Sequence, residues 1–226
     1  MELNKKIGIY GLAANPPTLG HAYVVKSVLD ANIVDEIWII PSFIHYHAKE
    51  MVSFSLRYEM CVRLFTEELN LGYDTEKVKI LRVDELFSEL NPLYDGSMMS
   101  MMERIRSLSD HDFYIIIGQD NADTINTWKN GSILVANEKF ITIPRPRNIP
   151  CNRDAGWYEY PPHTFLKDVE LLDISSTMVR NLCKLPLIYK TEKELDLVNS
   201  LVGSLVVQII VENDLYVEVK NDCKDC

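Results

Sequence analysis

Short apolar runs alternate with segments of helical periodicity along the chain, and this alternation most constrains its fold. Gly11 ends the first run and Pro41 ends the second, as expected for buried strands that lead into loops. The predicted strands are residues 6–10, 36–40, 78–83, 113–117, 139–143 and 168–172. A first helix is predicted to begin near residue 21. Three further helices are predicted at residues 54–69, 97–108 and 192–211, followed by a short extended segment at 215–219.

Strands that alternate with helices predict an α/β fold of the Rossmann-like, doubly wound type. In that fold a mostly parallel sheet carries helices on both faces. Ligands bind beside the carboxyl ends of the strands, near the point where the strand order reverses. Residues that directly follow strands are therefore the candidate functional residues. The proline-rich stretch 144–162 predicts a loop.

The size and charge of the chain limit what it can be. Its 226 residues, 47% of them hydrophobic, suit one sizeable core, so we expect a single domain over residues 1–226. The formal net charge of -10 argues against binding to nucleic-acid phosphates. No apolar run approaches the roughly 20 residues that span a bilayer, so we expect no membrane partner.

Cysteine usage predicts a cytoplasmic protein with reduced thiols, because the five cysteines are irregularly spaced. We expect no secretory leader at the amino terminus. Cys223 and Cys226 are interpreted as part of a solvated tail rather than as half of a metal site. A homo-oligomer is compatible with the sequence, which does not determine the oligomeric state.

The turn after the first predicted strand, residues 11–21 (GLAANPPTLGH), carries a first group of candidate residues. Gly11 allows a ligand close to the backbone, and a helix start near Gly20 offers N–H groups to a phosphate. Thr18 and His21 would add a hydroxyl and an imidazole whose charge responds near neutral pH. The competing interpretation is a histidine that only decorates a helix start. The spacing fits neither a Walker loop nor the G-x-G-x-x-G turn.

A second group follows the last predicted strand and consists of Ile174, Ser175, Ser176, Thr177 and Arg180. Ser175 or Ser176 is a good helix N-cap, and the neighbouring hydroxyl and N–H groups offer an anion site. Arg180 lies one turn further on the same helix face, where its guanidinium can hold two phosphate oxygens. Taken alone, an ordinary N-cap with a surface arginine explains this pattern equally well.

A third group follows the predicted strand 113–117. Gly118 permits close approach of a ligand, and Asp120 could accept hydrogen bonds from ribose hydroxyls. Trp128 offers a flat face to an aromatic ring, although an isolated tryptophan is more often a core residue.

Together these groups resemble the nucleotidylyltransferase superfamily. Its signature (H/T)-x-G-H matches residues 18–21, and its late signature I-S-S-T-x-x-R matches residues 174–180. The pattern G-x-D-x(7)-W at residues 118–128 resembles nicotinate and nicotinamide mononucleotide adenylyltransferases, and stretches at 47–49, 57–60, 145–146 and 210–216 resemble the bacterial nicotinate branch. The chain departs from these patterns at Ala13, where an aromatic residue is usual, and at residues 95–99, where the branch has threonines.

The resemblance implies adenylyl transfer from ATP to nicotinate or nicotinamide mononucleotide, a step of NAD biosynthesis, with Mg²⁺ carried by ATP and no metal bound by protein ligands. It implies that residues 173–220 form a helical part that completes the ATP site. The implied catalytic residues are His21 and Arg180. The implied ATP-binding residues are Gly11, Leu12, Ala13, Thr18, Gly20, His21, Gly118, Asp120, Ile174, Ser175, Ser176, Thr177 and Arg180. The implied mononucleotide-binding residues are Asn15, Lys49, Tyr94, Trp128, Lys129 and Arg145.

The implied chemistry needs no general base, because a phosphate monoester with a second pKa of about 6 is close to a dianion at neutral pH. We expect direct in-line attack, no covalent intermediate, and catalysis by positioning and electrostatics. Two alternatives stay open. One is another nucleotidylyltransferase, acting on phosphopantetheine or FMN, and the other is a non-catalytic module that senses nucleotides.

Overall fold

The computed structural model describes residues 4–43, 51–68, 71–144 and 156–218. Its centre is a six-stranded sheet in the order β3-β2-β1-β4-β5-β6, in which every neighbouring pair is parallel. The strands are β1 (Lys6–Leu12), β2 (Glu36–Pro41), β3 (Val78–Ile80), β4 (Asp112–Gly118), β5 (Lys139–Ile143) and β6 (Thr164–Phe165). This arrangement confirms the predicted Rossmann-like, doubly wound α/β fold.

Helices connect the strands as the alternating sequence pattern predicts. The first four helices are α1 (Leu19–Asp30), α2 (Phe54–Val62), α3 (Val83–Leu90) and α4 (Met98–Leu108). They are followed by α5 (Gln119–Asp123), α6 (Gly131–Asn137), α7 (Ser176–Leu182), α8 (Glu192–Val202) and α9 (Ser204–Glu212). A π-helical turn, Arg63–Glu67, extends α2. Leu69, the last residue of the helix predicted at 54–69, lies outside the described residues.

Alternate side chains of the strands build two separate cores, one on each face of the sheet. On β1, Ile7 and Ile9 pack towards α3 to α6, whereas Tyr10 and Leu12 pack towards α1, α2 and α7 to α9. Successive side chains of a strand point to opposite faces, so a continuous apolar run is what a doubly covered sheet requires.

The switch point of the sheet lies between β1 and β4, whose connections leave in opposite directions along the sheet. Ile7 of β1 pairs with Phe113 of β4, and Ile9 pairs with Ile115, so the two strands end side by side at Leu12 and Gly118. The residues that follow these ends share one crevice, which is where ligands bind in open α/β sheets.

The predicted sixth strand at residues 168–172 is wrong. The edge strand is Thr164–Phe165, which pairs with Ile141 and Thr142. The chain then turns, since the N–H of Val169 donates to the carbonyl of Leu166 at 3.1 Å. The apolar segment that resembles a strand therefore leaves the sheet and passes over its carboxyl edge.

Two further element predictions need correction. The predicted strand 78–83 ends at Ile80, and Val83 begins α3, whose acidic residues Asp84 and Glu85 suit the positive end of a helix. The predicted extended end at 215–219 is wrong at its start, because Leu215 and Tyr216 form a turn and Tyr216 has a φ of 68°, which a strand does not allow.

The predicted helix 192–211 is broken at Gly203 into α8 and α9. Gly203 has a φ of 82°, and a Cβ placed on it would lie 2.5 Å from a carboxylate oxygen of Glu68. The helices bend by 115° at this point, and although the pair together has the length and apolar composition of a broken membrane span, no single helix in the described part of the chain has both. Val198 and Val206 place the pair in the core.

Candidate active site

A cavity of about 630 Å³ lies at the carboxyl ends of β1 and β4. Three groups that are distant in sequence meet there. The predicted ligand-binding residues that line it are Gly11, Leu12, Ala13, Thr18, Gly20, His21, Gly118, Asp120, Trp128, Lys129, Ile174 and Ser175. The switch point of the sheet therefore gathers most of the residues that sequence patterns select.

The remaining predicted residues have two different positions. The described residues that are not part of the cavity lining are Asn15, Tyr94, Ser176, Thr177 and Arg180, and each makes a hydrogen bond to a neighbouring segment or side chain. Lys49 and Arg145 lie outside the described residues, and their binding to the mononucleotide phosphate stays a prediction.

His21 faces the cavity from the first turn of α1, and Thr18 holds its ring. The Nδ1 atom of His21 accepts the backbone N–H of Thr18 at 3.0 Å and lies 2.8 Å from the Thr18 hydroxyl oxygen. An N–H donor requires a lone pair on its acceptor, so Nδ1 is unprotonated and the neutral ring carries its proton on Nε2. Thr18 is fully buried, and its hydroxyl is engaged with the imidazole.

The environment of His21 favours the neutral imidazole. Burial lowers the pKa of His21 to about 4. This corrects the expectation that its charge changes near neutral pH, because removal from water disfavours the charged ring. At neutral pH His21 is a neutral hydrogen-bond donor through Nε2, and a bound anion would raise its pKa again.

Side chains behind the turn between β1 and α1 hold its backbone in place. Three turn carbonyls accept hydrogen bonds at 2.8 Å, namely Ala13 from Arg57, Asn15 from Arg180 and Pro16 from Ser176. Within the turn, Ala14 has a φ of 53°, a backbone conformation that is uncommon for a residue with a Cβ. The turn is thus pre-organised by contacts from α2 and α7 before any ligand binds.

Arg57 is the largest fully buried side chain in the described part of the protein. Besides Ala13, its guanidinium donates to the carbonyls of Val52 at 2.9 Å and Ser42 at 2.7 Å. Sequence reasoning noticed Arg57 only as part of a helix pattern. The structure shows that it ties the turn after β1 to both ends of the segment between β2 and α2.

The starts of α1 and α7 lie against each other at the edge of the cavity. A methyl group placed on Gly20 would come within 3.3 Å of the carbonyl oxygen of Ile174. The side chain of Ser175 caps α7 by accepting the N–H of Met178 at 3.2 Å, which confirms one of the two predicted caps. A larger residue at position 20 would therefore push the two motifs slightly apart.

Arg180 contacts the same turn that leads to His21, so the two predicted catalytic residues lie on one side of the molecule. Its second terminal nitrogen donates to the Thr177 hydroxyl at 3.0 Å. A guanidinium has more N–H groups than these two contacts use, so Arg180 keeps donors for a phosphate. Its direct contact with a ligand stays a prediction.

The Trp128 end of the cavity contains a buried carboxylate that sequence reasoning missed. Asp84 lines the cavity at the start of α3, accepts the N–H of Phe43 at 2.5 Å, and accepts a hydrogen bond from the Tyr94 hydroxyl. Tyr94 is buried, is not part of the cavity lining, and contacts it through this carboxylate. The acidic start of the amphipathic segment 83–90 was the signal that could have located Asp84.

The cavity carries single carboxylates, including Asp84, Asp120 and Asp173. Within residues 4–43, 51–68, 71–144 and 156–218, no three His, Cys, Asp or Glu side chains form a group that could hold a metal ion. Dispersed carboxylates fit a cation that arrives with phosphate and water ligands better than one held in a protein cage.

The sheet order, the phosphate-compatible turn after β1 and the cavity at the switch point define a nucleotide-binding α/β protein. Residues 9–182 match the family model described as Cytidylyltransferase-like. A probable nicotinate-nucleotide adenylyltransferase of Bacillus licheniformis is 31% identical over 180 residues, which cover 80% of this chain and 86% of that protein. The chain therefore belongs to the cytidylyltransferase-like family and, within it, to the nicotinate-nucleotide adenylyltransferases, which are nucleotidyltransferases.

Other relatives match over almost the whole chain. The nicotinate-nucleotide adenylyltransferase of Bacillus subtilis is 29% identical over 213 residues, which cover 94% of this chain and 98% of that protein. The structure of Plasmodium falciparum nicotinic acid mononucleotide adenylyltransferase complexed with NaAD superposes with a TM-score of 0.75 at 20% identity, covering 94% of this chain and 97% of that one. At this identity the structural likeness establishes the fold alone.

Proposed function

We propose that this protein transfers the adenylyl group of ATP to a pyridine mononucleotide, nicotinate mononucleotide first, and releases pyrophosphate. The product is a dinucleotide, deamido-NAD or NAD. The observation that carries the proposal is the meeting of residues 18–21, Trp128 and residues 174–175 in one cavity. The relatives' names and the complex of the Plasmodium falciparum protein with NaAD support the choice of substrates.

The cavity suits two nucleotides that meet end to end. The turn after β1 and the start of α1 form the phosphate end, where N–H groups and the neutral His21 donate. Trp128 stands at the other end with one half-buried face, which suits a pyridine ring. Gly118 leaves room for backbone contact, and a Cβ there would lie 2.8 Å from the Asp120 carboxylate.

The chemistry proceeds by direct attack of the mononucleotide phosphate on the α-phosphorus of ATP. One P–O bond forms to the attacking phosphate oxygen, the P–O bond to pyrophosphate breaks, and the electron pair leaves with pyrophosphate. His21 donates through Nε2 to a phosphate oxygen that gains charge, and Arg180 offsets charge on the leaving group. The attacking phosphate is already ionised, so no side chain has to remove a proton.

Mg²⁺ would enter with ATP, and the bound ion would neutralise part of the phosphate charge. Asp84, Asp120 and Asp173 are the cavity carboxylates that would attract its water ligands. The other assignments from sequence remain proposals as well: a single domain, a cytoplasmic location, the absence of nucleic-acid and membrane partners, and a homo-oligomer as an allowed state.

The test is to mix the protein with MgATP and nicotinate or nicotinamide mononucleotide and to separate the products by chromatography. We expect pyrophosphate and a dinucleotide in equal amounts. Phosphopantetheine and FMN serve as alternative acceptors in parallel reactions. An adenylylated product formed only with phosphopantetheine or only with FMN would replace the proposed substrate, and no pyrophosphate with any acceptor would favour the non-catalytic nucleotide sensor.

A further inference from the structure

An ion pair joins two walls of the cavity near Trp128. The Nζ atom of Lys129 lies 2.5 Å from a carboxylate oxygen of Asp95. Lys129 follows Trp128 directly, whereas Asp95 belongs to the segment between α3 and α4. The pair therefore connects two separate walls of the cavity, since Gly96 and Ser97 line one of them and Trp128 lines the other.

The Asp95 carboxylate is held by more than the lysine. Its other oxygen accepts the N–H of Ser97 at 3.0 Å and the hydroxyl of Ser100 at 2.8 Å. Burial alone would raise its pKa, but the hydrogen bonds from Lys129, Ser97 and Ser100 outweigh burial and hold the pKa of Asp95 well below its usual range. Asp95 is therefore a fixed negative charge at any pH at which the enzyme would work.

The position of this pair matters because the two proposed substrates differ in one charge. The pyridine ring of nicotinate mononucleotide carries a carboxylate, and that of nicotinamide mononucleotide carries a neutral amide. Trp128 and Lys129 are neighbours in sequence and both line the cavity, so a ring stacked on Trp128 would lie near Lys129, a cation that could attract the carboxylate. With Asp95 in contact, that cation is already neutralised.

We propose that the Asp95–Lys129 pair sets the charge preference of the site and opens it to the neutral nicotinamide ring beside the acid form. This inference rests on the proposed function. The negative charge of Asp95 offsets the positive charge of Lys129, which alone would attract a ligand carboxylate. The acid form therefore binds with little electrostatic advantage over the amide.

The decisive measurement is the ratio of kcat/KM for nicotinate mononucleotide to kcat/KM for nicotinamide mononucleotide in matched variants. Asp95→Asn keeps an oxygen for Ser97 and Ser100 and replaces the charged oxygen that faces Lys129 with a neutral amide nitrogen. It should raise the ratio about threefold to tenfold, a range limited by solvent screening of a partly exposed pair. Lys129→Met, which leaves Asp95 uncompensated, should lower the ratio by a similar factor. Lys129→Arg should keep it near the wild-type value.

A second ion pair of similar exposure supplies the control. Asp112 and Lys139 lie 2.8 Å apart at the amino-terminal ends of β4 and β5, at the opposite edge of the sheet from the cavity. Asp112→Asn should leave the ratio unchanged. Raising the salt concentration should shrink the effect of Asp95→Asn, which a purely structural effect on α4 would not do.

The outcomes separate the two proposals. If Asp95→Asn leaves the ratio of the two kcat/KM values unchanged, or lowers it in favour of nicotinamide mononucleotide, the proposed role of the pair is wrong. The proposed transfer reaction is not affected by that result. If the wild type makes no dinucleotide with either mononucleotide, the proposed function fails. Titration calorimetry of the two mononucleotides against wild type and Asp95→Asn then tests the pair alone, and equal affinity ratios in the two proteins would refute it.

Discussion

The Thr18 backbone N–H, bound to Nδ1 of His21 at 3.0 Å, determines which ring nitrogen is left to act in the cavity. The bond requires an unprotonated Nδ1, so the neutral ring offers Nε2–H. In the proposed reaction Thr18 would act on the ligand through the orientation of the histidine ring. This relationship makes His21 a donor of fixed direction rather than a proton acceptor.

Substitutions of His21 should separate its two nitrogens. His21→Gln places an amide nitrogen near the Nε2 position, and His21→Asn places an oxygen near the Nδ1 position. We expect kcat to fall about a hundredfold to a thousandfold in His21→Asn and His21→Ala, the usual loss of one transition-state donor. The fall in His21→Gln should be smaller, and the KM for ATP should change less than kcat in all three. Near-normal kcat in His21→Ala would rule out this role.

The lowered pKa of His21 should make the free protein less stable in acid. Its ordinary pKa is about 6.5 in the unfolded chain, and burial lowers it to about 4 in the fold. Between these values the unfolded state binds more protons, so this contribution to stability is complete above about pH 6.5 and is lost as the pH falls towards 4. Urea denaturation of wild type and His21→Gln across this range checks the prediction. The wild type should lose more stability than the variant, and parallel curves would contradict it.

Arg57 and Arg180 bind the same turn, but substitution of Arg57 should lower stability, whereas substitution of Arg180 should lower kcat. Arg57 is buried among three carbonyls that one lysine ammonium cannot reach together, so Arg57→Lys should cost about 2–4 kcal/mol of unfolding free energy. Arg180 is partly exposed, and Arg180→Lys should lower kcat about tenfold to a hundredfold with little change in stability. Denaturant melts and steady-state kinetics on both variants distinguish the two. Equal losses of stability would refute the division.

Much of the fold follows from local pattern. Five of the six strands were located because each is an apolar run ended by glycine, proline or a turn, and a buried parallel strand needs little else. The edge strand was misplaced because Thr164 and Phe165 form only a short pairing with β5, too short to leave a periodic signal. Residues 168–172 had the composition of a strand but no neighbour to pair with.

The site was predictable where a motif follows a strand, and not where tertiary packing builds it. His21 and Gly118 lie close to the carboxyl ends of β1 and β4. The order of strands in the sheet places these ends side by side, independently of the conformation of the loops. Asp84 reaches the cavity because α3 begins earlier than the strand pattern indicated. The contacts of Arg57 with three carbonyls in two separate connections depend on side-chain reach across the core, which no local pattern records.

Gly203 should be a site of stability rather than activity. It combines a φ of 82° with a place for Cβ only 2.5 Å from the Glu68 carboxylate, which accepts the N–H of Leu205 at the start of α9. Gly203→Ala should lower the unfolding free energy by about 1–3 kcal/mol, through backbone strain and displacement of Glu68. Thermal or urea denaturation measures the loss. Ser204→Ala, at the neighbouring position, is the control and should cost less, while kcat should stay unchanged in both.

Trp128 should discriminate between the two nucleotides, because it lines the cavity from the segment after β4, whereas the proposed phosphate site lies at the start of α1. Stacking of an aromatic side chain on a base is worth about 1–3 kcal/mol, so Trp128→Ala should raise the KM for the mononucleotide about tenfold or more. The KM for ATP should change less than threefold or so, since no part of ATP needs that surface. Trp128→Phe keeps an aromatic face and should recover most of the loss. If both KM values rose together, Trp128 would be shaping the cavity as a whole, because removal of a half-buried indole that only supports the wall affects both ligands alike.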